Sequence, residues 1–253
     1  MNKEHKYNEA ISRFYDTVYE RIGDNARDKM YFEEIAEVKG SVLEAGAGTG
    51  KIFVPALKNG ADIYGIDQSD LMLEKLKCKI NESEYHRISI QDIRYFKFDK
   101  KFSLIISPFR VFQHLITTDD QLKALGSIYE HLEHGGKYIF DLFVPDLARL
   151  QSEEKDLLAF EDEYEPGKYL KLFTSVKPDF IHQTQNVTFK YVWDENGREN
   201  ISEYSFPMRY FFRYEIENLI ARTKFKLENI YGDFNRSDLS NESKQFVVVC
   251  SKK

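Results

Sequence analysis

Ser41-Val42-Leu43-Glu44-Ala45-Gly46-Ala47-Gly48-Thr49-Gly50, followed by Asp62-Ile63-Tyr64-Gly65-Ile66-Asp67, is the stretch that decides the fold. A short strand runs into three glycines at alternate positions. Glycines in such a turn permit left-handed backbone angles and let a ligand approach the main chain closely. The helix that follows, roughly 50–58, closes on Asn59-Gly60 as a C-cap. Its first N–H groups have no partner within the helix and are available to a ligand. The second strand ends on Asp67, 21 residues after Gly46, where a carboxylate can accept both hydroxyls of a ribose. A glycine turn alone is an ordinary strand-to-helix connection, and an acid alone is a surface turn residue. Strand, glycine turn, helix, strand and terminal acid in this order are a much more specific pattern.

The alternation continues outward. Ser69 is placed to cap a helix whose Leu71, Met72, Leu76 and Ile80 face inward. Arg87–Ile90 and Phe102–Ile106 read as the third and fourth strands. Thr118-Asp119-Asp120-Gln121 reads as a capping box opening a helix to about 133, ended by Gly135-Gly136 before a fifth strand at Tyr138-Ile139-Phe140. Strands alternating with helices require crossovers, hence a doubly wound, Rossmann-like α/β sheet with ligands at the carboxyl ends of its strands. Upstream, Ile11, Phe14, Tyr15, Val18 and Ile22 form one helical stripe. Met30, Tyr31, Ile35 and Val38 continue in a second helix after the Gly23-Asp24-Asn25 break. Downstream the period changes. Val187, Phe189, Tyr191 and Trp193 alternate with Thr188, Lys190 and Val192, and Glu165-Pro166-Gly167-Lys168 and Glu195-Asn196-Gly197 are turn signals. The chain therefore divides into an N-terminal helical cover (1–39), a nucleotide-binding core (40–155), an antiparallel β insertion (156–210) and a C-terminal helix and strand pair (211–253) that complete the core.

Composition excludes several classes. With 253 residues, 42% hydrophobic and 31% charged, the chain has the balance of a soluble globular protein. No apolar run approaches the ~20 residues of a membrane span. Met1-Asn2-Lys3-Glu4-His5-Lys6-Tyr7 is polar and leads into no apolar segment, so a cytoplasmic protein without a secretory leader is expected. A net charge of −6 argues against a nucleic-acid partner. Cys78 and Cys250 read as two reduced, buried thiols. No acid/His cluster of metal-ligand type is evident.

Two nucleoside cofactors use this layout. The dinucleotide pattern G-x-G-x-x-G would put its third glycine at Lys51, and Gly50 falls one place early. The G-x-G-x-G form preceded by Glu44 resembles motif I of class I S-adenosylmethionine-dependent methyltransferases. Asp67 matches the acid that this family carries at the end of strand two. Gln91-Asp92-Ile93 follows strand three, where the family places an acid near the adenine. Ser107-Pro108-Phe109-Arg110 follows strand four, where the acceptor meets the methyl group. His134-Gly135-Gly136 stands where the family has Pro-Gly-Gly. The resemblance covers about 40–145 and, more loosely, 213–253. It implies a seven-stranded sheet with the last strand antiparallel, and S-adenosylmethionine as cofactor. It implies cofactor contacts from Glu44, Gly46, Ala47, Gly48, Gly50, Asp67, Gln68, Met72, Asp92, Ile93, Ser107 and Phe109. Phe14-Tyr15-Asp16-Thr17-Val18-Tyr19 resembles a segment that closes over the cofactor in glycine N-methyltransferases and amino-sugar N,N-dimethyltransferases, which adds Tyr15 and Tyr19.

Ser107-Pro108-Phe109-Arg110 is not the motif of adenine amino-methylating enzymes, and no Pro-Cys occurs as in cytosine C5 enzymes. The remaining pattern resembles small-molecule N- or O-methyltransferases, which implies methyl transfer to an N or O atom of a small-molecule acceptor by direct displacement, in a monomer or homodimer. An amine attacks unaided, whereas an alcohol needs a base, for which His114 is the candidate. Arg110 is placed to hold an acceptor's carboxylate or phosphate. Packing and surface ion pairs are the plain alternatives for both. Between 160 and 234 lie 17 of the 37 aromatic residues, so the insertion is expected to read the acceptor, with Phe206, Arg209 and Tyr210 foremost. The rival readings are an NAD-dependent oxidoreductase and a non-catalytic module that binds S-adenosylmethionine.

Overall fold

All four residues of β1 (Val42–Ala45) are buried, as a strand covered on both faces must be. It pairs in parallel with β2 (Ile63–Asp67) on one side and β4 (Phe102–Ser107) on the other. β3 (Ile88–Ile90) lies beyond β2, and β5 (Leu132–Phe143) lies beside β4. β11 (Gln245–Lys252) runs antiparallel to both β5 and β10 (Phe225–Tyr231), which gives a seven-stranded sheet in the order β10-β11-β5-β4-β1-β2-β3. This is the sheet expected, with an antiparallel last strand. The computed structural model describes residues 8–253, so the reading of Met1–Tyr7 lies outside the described residues. Among the described residues no helix is long and apolar enough to cross a membrane.

The chain forms two compact units. One comprises Asp24–Pro145 and Tyr210–Lys253 and contains this sheet; the other comprises the described residues up to Gly23 together with Asp146–Arg209. The helical segment before β1 is thereby split. α1 (Glu9–Ile22) belongs with the insertion and α2 (Asn25–Glu37) with the sheet, and the boundaries fall at 23/24 and 145/146 rather than at 39 and 155. The Gly23-Asp24 break explains the split. Gly23 ends α1, and the Asp24 carboxylate caps α2 by accepting the N–H groups of Ala26 and Arg27.

In the sheet unit, α3 (Phe53–Lys58), α4 (Asp70–Lys77), α5 (Thr118–His131) and α6 (Arg213–Ala221) accompany the strands. Several details depart from the sequence reading. The cap of α5 is Thr117, whose hydroxyl accepts the Asp120 N–H at 3.1 Å, one residue before the expected box. That helix ends at His131, because Leu132 is drawn into the sheet opposite Phe102. Ser69 caps α4 as expected, but Leu73 is buried there in place of Leu71, and Ile80 lies past the helix end. Ile22 is half exposed, and Cys78 at the end of α4 is exposed while Cys250 is buried.

The second unit is a four-stranded antiparallel meander with α1 on its aromatic face. Its strands are β6 (Glu154–Glu165), β7 (Lys168–Asp179), β8 (Thr184–Glu195) and β9 (Arg198–Arg209). Gly167, at φ +74°, turns β6 into β7, and Asn196-Gly197, both left-handed, form the two-residue hairpin between β8 and β9. Phe14 of α1 is buried with its ring 5.1 Å from Tyr164, 5.3 Å from Trp193 and 6.1 Å from Tyr191. Arg13 pairs with Glu195 at 2.8 Å and Arg21 with Asp162. Phe206 is buried against Phe189 and Tyr204, and the Arg209 guanidinium donates to the carbonyls of His182 and Gln183. These two side chains therefore pack the meander and hold its turn, and Tyr210 is buried in the sheet unit. Phe14→Ala should lower the stability of the meander unit by about 3–5 kcal/mol, the usual loss for a buried phenylalanine. Urea unfolding followed by the fluorescence of Trp193, the only tryptophan, reads this directly. An unchanged midpoint would show that α1 does not anchor the meander.

Candidate active site

The glycine turn is a packed object. Gly46 and Gly50 sit at φ +92° and +87°, angles that side-chain-bearing residues rarely adopt. A Cβ on Gly46 would stand 2.3 Å from Cγ2 of Val111, and one on Gly50 2.7 Å from Cγ2 of Val54. Gly48 differs, because a Cβ there would meet only Cε of Met72, at 3.9 Å. That is the side on which the turn stays open to a ligand. The N–H groups of Gly46 and Ala47 both donate to the Ile66 carbonyl, at 2.8 and 2.9 Å, so the turn is pinned to the end of β2. Asp67 completes the clamp. Its Oδ2 accepts the Gly48 N–H at 2.9 Å and its Oδ1 the Ser69 N–H at 2.8 Å. Burial pushes the Asp67 carboxyl up, opposed by the N–H groups of Ser69, Gly48 and Gln68. A carboxylate has about four lone-pair directions, so the turn leaves part of the accepting capacity of Asp67 unused.

Glu44 stands behind the turn, fully buried. It accepts the Phe53 N–H, while its Oε2 has no hydrogen-bond partner among the described residues. Burial holds its carboxyl well above the usual carboxylate range, and the nearby charges of Asp67 and Asp28 push the same way. Oδ1 of Asp28, Nε of Arg27 and Oδ2 of Asp141 are likewise buried without a partner. Lys51 Nζ is 3.3 Å from Asp28, Arg27 Nε is 3.8 Å from Asp141, and both cations lie over the Phe109 ring at 5.3 and 4.8 Å. Native interiors leave few polar atoms unsatisfied. Four such atoms, of both charge signs, lie among α2 and strands β1 and β5 and suit a polar ligand carrying both signs.

The segment after β4 supplies the third wall. The Ser107 hydroxyl is buried and accepts from Tyr138 Oη at 3.1 Å. Phe109 and Arg110 are both left-handed, at φ +59° and +64°. The Phe109 N–H donates to Asp141 Oδ1 at 3.0 Å, and the same oxygen accepts the Tyr31 hydroxyl at 2.8 Å. The Arg110 guanidinium lies over the Phe143 ring at 5.5 Å. His114 closes a short 3₁₀ turn, Val111–His114, with its side chain exposed. Asp92 is held by Arg94, which also reaches Asp120 at 2.9 Å, and Ile93 beside it is buried. Gln68 is exposed and Met72 buried. Glu44, the glycine turn, Asp67, Ser107, Phe109 and Arg110 thus meet at the carboxyl ends of β1, β2 and β4. Tyr15 and Tyr19 belong to the meander unit, their rings 4.4 Å apart. Among the described residues no group of three or more His, Cys, Asp or Glu is arranged to hold a metal.

Arg27, Tyr31 and Asp141 were absent from the sequence reading of the site. Asp141 carried a signal: a charged residue inside Tyr138-Ile139-Phe140-Asp141-Leu142-Phe143, where a strand buried on both faces should be apolar throughout.

The buried Glu44 carboxyl makes stability depend on pH. Its folded value is raised, so the native state holds a proton that the unfolded chain releases, and this contribution is lost as pH rises from the ordinary carboxylate range. Glu44→Gln should therefore melt above the wild type at pH 8, in the absence of cofactor, with the gap closing toward pH 5. Calorimetric melting across that range checks it, and parallel curves would remove Glu44 as the source.

Residues 42–136 match the model of a methyltransferase domain. YqeM of Bacillus subtilis (strain 168), which carries a methyltransferase name, is 24% identical over 96% of this chain and 97% of its own length. The glycine/sarcosine N-methyltransferase of Parasynechococcus marenigrum (strain WH8102) is 26% identical over 92% of this chain and 81% of its own. A solved S-adenosylmethionine-dependent methyltransferase from Clostridium acetobutylicum superposes with a TM-score of 0.80 at 16% identity, covering 96% of this chain and 98% of the other. Neither the oxidoreductase reading nor the non-catalytic one finds support in these relatives. With the glycine turn, the acid closing β2 and the antiparallel last strand in place, the chain carries a methyltransferase domain over residues 42–136 and has the fold of S-adenosylmethionine-dependent methyltransferases.

Proposed function

We propose that this enzyme N-methylates a small amine acceptor of the amino-acid type. The observation that carries this reading is the extent of the likeness to the glycine/sarcosine N-methyltransferase. It runs over 92% of the chain, well outside residues 42–136 and therefore through the meander that the methyltransferase domain model does not contain.

The residues present fit the cofactor. The open side of Gly48 admits a ligand against the main chain, Asp67 offers a carboxylate to a ribose, and the unsatisfied atoms of Arg27, Asp28 and Glu44 suit the carboxylate and ammonium of an amino-acid end. Gly46, Ala47, Gly50, Gln68 and Met72 shape the same wall, Asp92 and Ile93 are assigned to the adenine, and Ser107 and Phe109 to the methyl-bearing end. Tyr15 and Tyr19 are assigned to the cofactor on the resemblance of their segment. When bound, S-adenosylmethionine supplies an electrophilic methyl on a sulfonium, a leaving group that needs no acid. The protein's work is alignment and exclusion of water. Arg110, fixed by its left-handed backbone, is assigned to the acceptor's carboxylate. A neutral amine carries its own lone pair, so no residue need remove a proton before attack.

Incubation with methyl-labelled S-adenosylmethionine and glycine, sarcosine or an amino sugar, read by mass spectrometry, tests the acceptor. Labelled product from the amino sugar alone would overturn the amino-acid reading. Asp67→Ala removes an acceptor of ribose and turn together, and affinity for S-adenosylhomocysteine should fall by about 1.5–3 kcal/mol, as for a hydrogen bond to a charged group. Calorimetry on a folded variant showing undiminished binding would take Asp67 out of the site. His114→Ala should cost far less than the roughly 10²–10⁴-fold of a lost general base. A loss in that range, with a titration in the pH–rate profile that disappears in the variant, would point to a hydroxyl acceptor.

A further inference from the structure

The Phe109–Arg110 turn raises a physical question. Two consecutive residues with side chains occupy the left-handed region, where each is strained by about 1 kcal/mol or more. Such a conformation persists only where its surroundings impose it. The Phe109 N–H donates to one oxygen, Oδ1 of Asp141, at 3.0 Å. Asp141 is fully buried in β5, two strands from the glycine turn, and its own position is set by Tyr31 of α2, whose hydroxyl donates to the same oxygen at 2.8 Å. Its other oxygen lies 3.8 Å from Nε of Arg27 without a hydrogen bond. The Arg27 guanidinium is held between the rings of Phe109 and Phe234, at 4.8 and 5.0 Å. One carboxylate thus faces the first turns of α2 and the loop after β4.

We infer that Asp141 is a positioning residue: its buried carboxylate holds the Phe109–Arg110 turn in its left-handed form, in a register set by Tyr31 and Arg27. It touches neither acceptor nor methyl group. It fixes where the Phe109 ring and the Arg110 side chain point, so that α2 and the acceptor-facing loop move as one piece. One oxygen of Asp141 accepts from two donors while the other faces the Arg27 guanidinium at 3.8 Å. The inference rests on the reading of 107–110 as the acceptor-facing loop only in its consequence for turnover; the geometry of the turn is independent of it.

The test reads the turn directly. In ¹⁵N-labelled, full-length protein, amide exchange at Phe109 should be slow in the wild type. In Asp141→Ala it should speed up on the order of 10- to 100-fold, the loss expected for one hydrogen bond to a charged group. The amides of Ile106 and Ile139, in the strands on either side, should keep their wild-type rates. Asp141→Asn retains an acceptor and protects the fold if the alanine variant does not hold together. It should leave the Phe109 amide protected but move its proton resonance upfield, because a neutral oxygen replaces a charged one. With glycine as acceptor, Asp141→Ala should lower kcat, with Asp141→Glu recovering part of it and the affinity for S-adenosylhomocysteine changing less than kcat. An unchanged Phe109 exchange rate in folded Asp141→Ala, or an unmoved Phe109 resonance in Asp141→Asn, would overturn the inference. Absence of any glycine turnover in the wild type would count against the proposed acceptor and leave the exchange measurements to decide the role of Asp141.

Discussion

The Ile66 carbonyl takes two N–H groups, from Gly46 and Ala47, and the carboxylate one residue further on takes a third, from Gly48. That small clamp between the ends of β1 and β2 is the constraint on which the site depends. It forces the chain to reverse within a few residues, places Gly46 and Gly50 in left-handed angles, and brings Val111, Val54 and Leu76 against them so closely that no side chain fits. What the clamp leaves open is the face of Gly48 beside the Asp67 carboxylate, at the carboxyl ends of the strands. Asp67 therefore has two duties. It holds the turn through the Gly48 and Ser69 N–H groups, and under the proposed function it also offers its remaining accepting capacity to the ribose.

Behind the clamp, the sheet unit accepts unfavourable electrostatics. Glu44 and Asp141 are fully buried acids whose carboxyls are pushed up by desolvation, and each keeps an oxygen without a partner. Arg27 is a buried cation whose closest acid is too far for a hydrogen bond. Such groups lower stability unless something answers them. The proposed function offers a reason for keeping them, since a cofactor ending in an amino acid presents complementary charges. The pull of Arg27, Tyr31, Arg110 and the Phe109 N–H on Asp141, working against its burial, shows the same balance on the acceptor side.

The meander unit solves a different problem. Its strands carry large rings on one face, and α1 covers that face with Ile11, Phe14 and Val18. The sheet unit carries the glycine turn and its clamp, and the meander packs a core of its own around α1. Much of its aromatic character is consumed internally. Phe206, Phe189, Tyr191 and Trp193 pack on one another or on α1, so richness in rings is not by itself a count of binding residues.

The sequence alone determined what depends on local backbone chemistry and on period. The glycine turn, the acid at the end of β2, the Ser69 cap and the two hairpin turns are written in short windows, because steric limits and alternation act over a few residues. The parallel central strands follow from the alternation of strands and helices, and the antiparallel last strand is implied by the family resemblance. Tertiary structure decided the rest. Helix α1 and helix α2 look alike as stripes, yet they join different units, since a stripe specifies only that a face is buried and not what covers it. Arg27, Tyr31 and Asp141 lie more than a hundred residues apart at their extremes and become one network only when α2 reaches the end of β5. Met72 and Leu73 won burial over Leu71 by the placement of α4 on the sheet. The left-handed Phe109–Arg110 turn has no glycine to announce it; a distant carboxylate imposes it, and the energy that holds it comes from contacts between segments that no local reading connects.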